Sequence, residues 1–313
     1  MVRRYAALFP GQGAQHPGMG QDLAAKSETA AATFREADER SGLPLTSLCF
    51  AGTEADLSRT EVTQPAIVTV STAAYRTFRE RGGPAPSAAA GHSLGEYSAH
   101  VAAGTISFAD AVASVRSRGR FMQEAVPEGE GAMAAVLGAE RETLERVCRE
   151  AGQGEVVSCA NFNGPGQIVI AGHKAAVDRA CAAALAAGAK RAVALQVSAP
   201  FHCALMRPAA ERLAPVLAAV AFSEPAFPVY TNVDAAPVVS QDAARDALLR
   251  QVEAPVRWDE EVARMLTDGF DTFVEFGPGK VLASLVKRVS REATVLSVGD
   301  TAGVDAALAV VSR

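Results

Sequence analysis

The sequence predicts an α/β fold: a parallel-rich sheet flanked by helices, with a smaller subdomain inserted into it. Three observations predict it. Strand-like and helix-like stretches alternate along most of the 313 residues, and such alternation lays strands parallel with helices on both faces. Residues 128–197 break that rhythm and read β-α-β-β-α-β, the ferredoxin-like order. Between the apolar run Ala88-Ala89-Ala90 and a helix-like stretch from Tyr97 stands Gly91-His92-Ser93-Leu94-Gly95-Glu96. This is a Gly-x-Ser-x-Gly turn from strand to helix. The expected division is a large unit, 1–127 and 198–313, and a small subdomain, 128–197.

Taken in order, residues 5–9 read as the first strand and run into Pro10-Gly11-Gln12-Gly13-Ala14-Gln15. That loop lacks both the Lys-Ser/Thr ending of a phosphate loop and a Gly-x-Gly-x-x-Gly dinucleotide pattern. At a strand end, its backbone can approach a ligand and donate to an oxyanion. Amphipathic helices are expected over 21–40 and 64–81, the second with Pro65 in its first turn. Gly82-Gly83-Pro84 stops it before the serine turn. Gly104 ends the next helix, and Ser107 can cap another over 108–126, which carries Arg116, Arg118 and Arg120. Residues 127–131 read as a linker.

In the inserted segment, strands are expected at 132–137, 156–160, 168–171 and 191–197, with a glycine turn between the second and third. Helices are expected at 141–151 and 174–187. Beyond it the alternation returns, with helices at 206–220, 242–251, 259–268, 280–289 and 304–311. Strands lie at 228–231, 272–276 and 294–298. Ligands of such sheets bind at the carboxyl ends of the strands, where Ser93 and the 10–15 loop both fall.

The totals exclude several function classes. A net charge of −5 argues against nucleic-acid partners, which attract dense positive charge. No apolar run is long enough to span a bilayer. Arg3-Arg4 suggests a twin-arginine signal, but the apolar run before Pro10 is too short for a signal core. Cys49, Cys148, Cys159, Cys181 and Cys203 are dispersed without metal-ligand spacing, as expected for reduced thiols of a cytoplasmic protein. No metal site is expected. Cys203 beside His202 is either a nucleophile or, more in keeping with free cysteine, a small packing residue.

Glycines flank Ser93 because a turn this sharp leaves no room for side chains, and a helix start behind it favours a developing oxyanion. A serine nucleophile needs a base, usually histidine. His92 adjoins Ser93 and points away, His100 lies down the following helix, and His16 and His173 fit solvated or capping roles. His202, where the chain returns from the insert to the main sheet, suits a base, though sequence alone leaves the choice among the five histidines open. An acid between serine and histidine in chain order would have to come from the small subdomain. A backbone carbonyl can orient the imidazole instead.

Taken together the motifs resemble the malonyl-CoA:acyl-carrier-protein transacylases of bacterial fatty-acid synthesis. The matching stretches are Gly11-Gln12-Gly13-Ala14-Gln15, Thr63-Gln64-Pro65-Ala66, the serine turn, and Arg118-Gly119-Arg120-Phe121-Met122-Gln123-Glu124. They continue with Asn161-Phe162-Asn163, Pro200-Phe201-His202-Cys203-Ala204-Leu205-Met206, Tyr230-Thr231-Asn232-Val233, Gln251, Pro255-Val256-Arg257-Trp258 and Phe276-Gly277-Pro278-Gly279. The resemblance implies an α/β-hydrolase-like large domain with the ferredoxin-like insert. It implies Ser93 as nucleophile, His202 as general base and acid, and the Gln251 carbonyl orienting His202. It implies backbone N–H groups of Gln12 and Leu94 as the oxyanion hole, Arg118 as the grip on a malonyl carboxylate, and Asn161 and Asn163 as lining the entrance. It also implies that Phe201 selects against a methyl-branched acyl group.

The implied reaction moves malonyl from malonyl-CoA to the phosphopantetheine thiol of acyl carrier protein through a malonyl-serine. Coenzyme A thioester is substrate, no cofactor is implied, and a monomer is expected. The competing readings are a trans-acting malonyltransferase of a polyketide synthase, a serine esterase or thioesterase, and a silent binding scaffold.

Overall fold

The computed structural model describes residues 3–312; residues 1, 2 and 313 of the expected large unit lie outside that range. Among the described residues the strands are β1 (Ala6–Phe9), β2 (Ala88–Gly91), β3 (Gly131–Leu137), β4 (Val157–Gly164), β5 (Gln167–His173), β6 (Arg191–Ala194), β7 (Val229–Thr231), β8 (Ala236–Val238), β9 (Thr272–Phe276) and β10 (Thr294–Val298). One sheet runs β10-β9-β1-β2-β7-β8 and a second runs β4-β5-β3-β6. Pairings in the first are parallel except β7 with β8, and those in the second are antiparallel. The predicted α/β class with a parallel-rich sheet therefore holds, beside a separate antiparallel sheet.

The central strands are apolar at every position because both faces of the large sheet are covered. Ala7 and Phe9 of β1, with Ala89 of β2, pack into one cluster. Ala6, Leu8, Ala88 and Ala90 pack into another, as the alternation of strand side chains requires. The small sheet packs Val136 and Ile170 against helices Arg141–Gly152 and Lys174–Ala186 in a third cluster.

Several expected boundaries are corrected. The helix over 21–40 is two helices, Gln21–Lys26 and Glu28–Ser41, because Ser27 is extended and its hydroxyl caps Ala30 N–H at 3.1 Å. Short helices Leu45–Ala51 and Glu54–Ser58 follow, the second closed by a Thr53/Asp56 capping box. The helix expected from 64 begins at Thr60, so Pro65 lies in its interior, not its first turn. Nearly complete burial of that helix in the large core outweighs the hydrogen bond that proline forfeits. β4 runs on through Asn161 and Asn163, which were expected in a turn. Register shifts after Cys159 and Phe162 absorb them, and Val256 pairs alongside. β6 ends at Ala194, opposite Ala134 of β3, beyond which a single Leu195 N–H bond to the Met133 carbonyl at 2.9 Å remains. The edge strand β8 was not anticipated; its Pro237 is tolerated because an edge needs no N–H there. The final helix, Thr301–Val311, starts early because Asp300 caps Gly303 N–H at 2.7 Å.

No described helix is long and apolar enough to cross a membrane.

Candidate active site

β1 and β2 end in register, Phe9 beside Gly91, so the 10–15 loop and the serine turn leave the same sheet edge. The turn is as tight as its glycines suggest. A Cβ on Gly91 would lie 2.0 Å from the Gly95 carbonyl carbon, and one on Gly95 would lie 2.1 Å from the Phe9 oxygen. Ser93 at the tip has φ +52°, a left-handed conformation costing an L-residue about 1–2 kcal/mol. Asn232 clamps both sides of it. Its Nδ2 donates to the Gly91 carbonyl at 2.7 Å, and its Oδ1 accepts from Ser93 N–H at 2.6 Å. Helix Gly95–Ala102 begins directly behind.

His202 lies where the chain leaves the small sheet, also with positive φ, +59°. Its Nδ1 faces the carbonyl oxygens of Gln251 at 2.9 Å and Ala254 at 3.2 Å. Carbonyls only accept, so Nδ1 carries the hydrogen and Nε2 presents a lone pair. That lone pair meets Ser93 Oγ at 2.7 Å. His202 is 3% exposed, and burial, with Arg118 nearby, lowers its pKa to about 3 despite the two carbonyls. The ring is therefore neutral and able to take a proton.

Arg118, on helix Phe108–Glu124, is buried. Its Nη2 donates to Ser93 Oγ at 3.1 Å and to Gln251 Oε1 at 2.9 Å, and its Nη1 donates to Gln64 Oε1 at 2.9 Å. These acceptors are all neutral, and the buried Nε–H has no partner among the described residues. A cation held this way is poised for an anion.

The amides of Gln12 and Leu94 make no backbone hydrogen bond among the described residues, whereas Ser93 N–H is occupied by Asn232. Asn161 and Asn163 are buried in β4, and Asn163 Oδ1 bonds His92 Nε2 at 2.8 Å. Phe201 is buried in the main core cluster. Cys203 is buried with its thiol donating to Pro200 O at 3.1 Å. His16 is exposed, His173 Nδ1 accepts from Val156 N–H, and His100 is buried with neither ring nitrogen partnered among the described residues. A groove of about 330 Å³ between helix Arg141–Gly152, β4 and the 253–255 segment reaches His202.

A family model described as an acyl transferase domain matches residues 7–306. The malonyl CoA-acyl carrier protein transacylase of Escherichia coli (strain K12) is 51% identical over 307 residues, 98% of this chain and 99% of that protein. The chain belongs to the malonyl CoA-acyl carrier protein transacylase family. Its fold agrees. The transacylase of Coxiella burnetii superposes with a TM-score of 0.98 at 41% identity, covering 100% of this chain and 99% of that one. A malonyl-transacylase solved in complex with a type II PKS acyl-carrier protein has a TM-score of 0.96 at 49% identity, covering 98% and 99%.

This transacylase site also contains residues to which sequence reasoning gave no role. Gln64, Glu96 and Asn232 each stood inside a matching motif, but their partners are distant in sequence. Glu96 Oε2 accepts from Asn232 N–H at 2.9 Å and from Gln251 Nε2 at 2.8 Å. Asn232 Nδ2 donates to Glu261 Oε2 at 2.7 Å. The Gln251 side chain also donates to the Ser93 carbonyl at 3.1 Å. The carbonyl facing His202 and the amide bracing the serine turn thus belong to one residue.

Proposed function

We propose that the chain transfers malonyl from malonyl-CoA to the phosphopantetheine thiol of acyl carrier protein in fatty-acid synthesis. The observation that carries this reading is Ser93 Oγ standing 2.7 Å from His202 Nε2 and 3.1 Å from Arg118 Nη2. One oxygen meets both a base and a fixed cation. Ser93 Oγ attacks the thioester carbonyl while its proton passes to His202 Nε2. The oxyanion is held by the amides of Gln12 and Leu94, which make no backbone hydrogen bond among the described residues. On collapse the C–S bond breaks, His202 returns the proton to the leaving thiolate, and CoA departs. The carrier thiol then gives His202 its proton, attacks malonyl-Ser93, and Ser93 regains its hydrogen as the bond to Oγ breaks. The Gln251 carbonyl holds the imidazole through Nδ1–H.

Arg118 binds the malonyl carboxylate through its Nε edge, where a buried donor has no other partner among the described residues. Arg118→Ala is expected to reduce malonyl transfer about 30-fold or more, with acetyl-CoA accepted as well as before or better. Equal losses with both substrates would make Arg118 merely structural. Phe201 walls the acyl site beside His202, and its packed ring resists an added methyl. Methylmalonyl-CoA is expected to be used roughly tenfold less well in kcat/KM, and Phe201→Ser to narrow that gap. Equal use of both acyl groups by the unaltered protein overturns this role.

The strand order β4-β5-β3-β6 supports reading 128–197 as a ferredoxin-like subdomain within an α/β-hydrolase-like domain formed by 1–127 and 198–313. Asn161 and Asn163 line its junction with the site. The same reading makes the protein a cytoplasmic monomer that takes CoA thioester as substrate, not cofactor. The net charge of −5 supports the absence of a nucleic-acid partner.

The test is to incubate the protein with malonyl-CoA, find which residue gains mass, and then add a panel of carrier proteins. Transfer to a fatty-acid carrier supports the reading, and hydrolysis outrunning transfer would favour a thioesterase. Similarity to the malonyl-transacylase bound to a type II PKS carrier keeps a polyketide carrier as the second acceptor to include.

A further inference from the structure

Beneath the serine turn lie two carboxyl groups that the transfer chemistry does not use. Glu96 and Glu261 are both fully buried, and Asn232 joins them. Glu96 also reaches Arg118 through one side chain. Gln251 Nε2 donates to Glu96 Oε2 at 2.8 Å, and Gln251 Oε1 accepts from Arg118 Nη2 at 2.9 Å. A buried guanidinium with only neutral direct partners is costly unless a negative charge is close. The Gln251 carboxamide is oriented to link the two, its nitrogen toward the carboxylate and its oxygen toward the cation.

We propose that Glu96 is the counter-charge of Arg118 in the free protein, relayed through Gln251, and that an acyl carboxylate docking on Arg118 drives a solvent proton onto Glu96. The inference rests on Arg118 binding the carboxylate. Before binding, the cluster holds one cation and one anion. The incoming carboxylate would make two anions, and uptake of one proton by the Glu96 carboxylate, giving the neutral acid, restores the balance.

Several charged or titratable groups surround Glu96. Burial raises its pKa to about 7, against the pull of its two N–H donors and Arg118. Burial first, and then the Glu96 charge, raise Glu261 well above its usual range, which disfavours its ionisation beside Glu96. Asp234 remains ionised on Arg250, Tyr97 is raised by burial and keeps its proton, and His202 is lowered and neutral. Glu96 is thus the group that changes charge near neutral pH.

The test uses Ser93→Ala protein, which binds without turnover, and calorimetry in buffers of different ionisation enthalpy. Malonyl-CoA is expected to take up on the order of half a proton more than acetyl-CoA at pH 7, and more at pH 8. The acetyl-CoA arm cancels the titration of the CoA phosphates. By the same linkage, malonyl-CoA affinity falls as pH rises above 7, by at most about tenfold per unit. Added Glu96→Gln is expected to abolish the extra uptake and flatten that pH dependence, which a merely structural role would not do. Equal uptake from both thioesters overturns the proposal even if the Glu96→Gln variant cannot be purified. So does extra uptake that survives Glu96→Gln. Arg118→Ala separates the two claims. If malonyl-CoA still binds normally, the carboxylate site is wrong; if binding is lost while no proton had been linked to it, only the counter-charge inference fails.

Discussion

Ser93→Ala is expected to remove covalent labelling by malonyl-CoA altogether and to reduce transfer by about 10⁶-fold, the scale of losing a hydroxyl nucleophile. The rival nucleophile is Cys203, next to the base. Its thiol is buried, already donates to the Pro200 carbonyl, and is pushed up to about 11 by burial. A protonated, enclosed thiol does not replace the hydroxyl. The fold is expected to survive. The variant loses the Oγ bond to His202, worth about 1 kcal/mol, and that from the Arg118 guanidinium, worth about 1.5–3 kcal/mol, while Asn232 still clamps the turn backbone. Intact-mass analysis after exposure to malonyl-CoA, with peptide mapping, checks it. A stable malonyl adduct on Cys203 would falsify the assignment.

What could be read from the sequence is what depends on local chemistry. Alternating apolar stretches announce the parallel sheet, and Gly91 and Gly95 announce a turn whose backbone passes too close for a Cβ. Pro65 misleads because proline's local preference for a first turn is overridden by the burial of the whole helix around it. Asn161 and Asn163 look like turn residues, and only pairing with β5 and Val256 makes them strand. Local chemistry does not distinguish Arg118 from Arg116 and Arg120, and only the family resemblance singles it out. Packing gives the physical reason, turning Arg118 onto Ser93 while Arg116 bonds the Ser41 carbonyl and Arg120 is exposed. The clamp on the serine turn is the least legible part. Asn232 lies 139 positions from Ser93, and Gln251 lies 155 from Glu96. No periodicity or spacing rule reaches across the inserted segment to pair them.

His202→Ala is expected to lower transfer by about 10²–10⁴-fold and to erase the acid limb of the pH profile. The sign follows from the site. In the free protein, burial first and the Arg118 cation second lower His202 to about 3. The ring is therefore neutral, and the acid limb of kcat/KM lies well below the ordinary histidine value of 6.5. With the carboxylate bound on Arg118 as proposed, the repelling cation would be offset and His202 is expected to become a stronger base in the complex. The acid limb of kcat, which reports the bound complex, is accordingly expected at higher pH than that of kcat/KM for malonyl-CoA, with less separation for acetyl-CoA. Stability carries the same sign. Because folding depresses the His202 pKa, its contribution is complete above 6.5 and is lost as pH falls toward 3. Removing the ring is expected to make unfolding free energy less sensitive to pH across that window. Denaturant titrations from pH 7 down to 4, beside the two rate profiles, measure both effects. If His92→Ala instead lost more activity at unchanged stability, the base would be the histidine bonded to Asn163 and not the one facing Ser93.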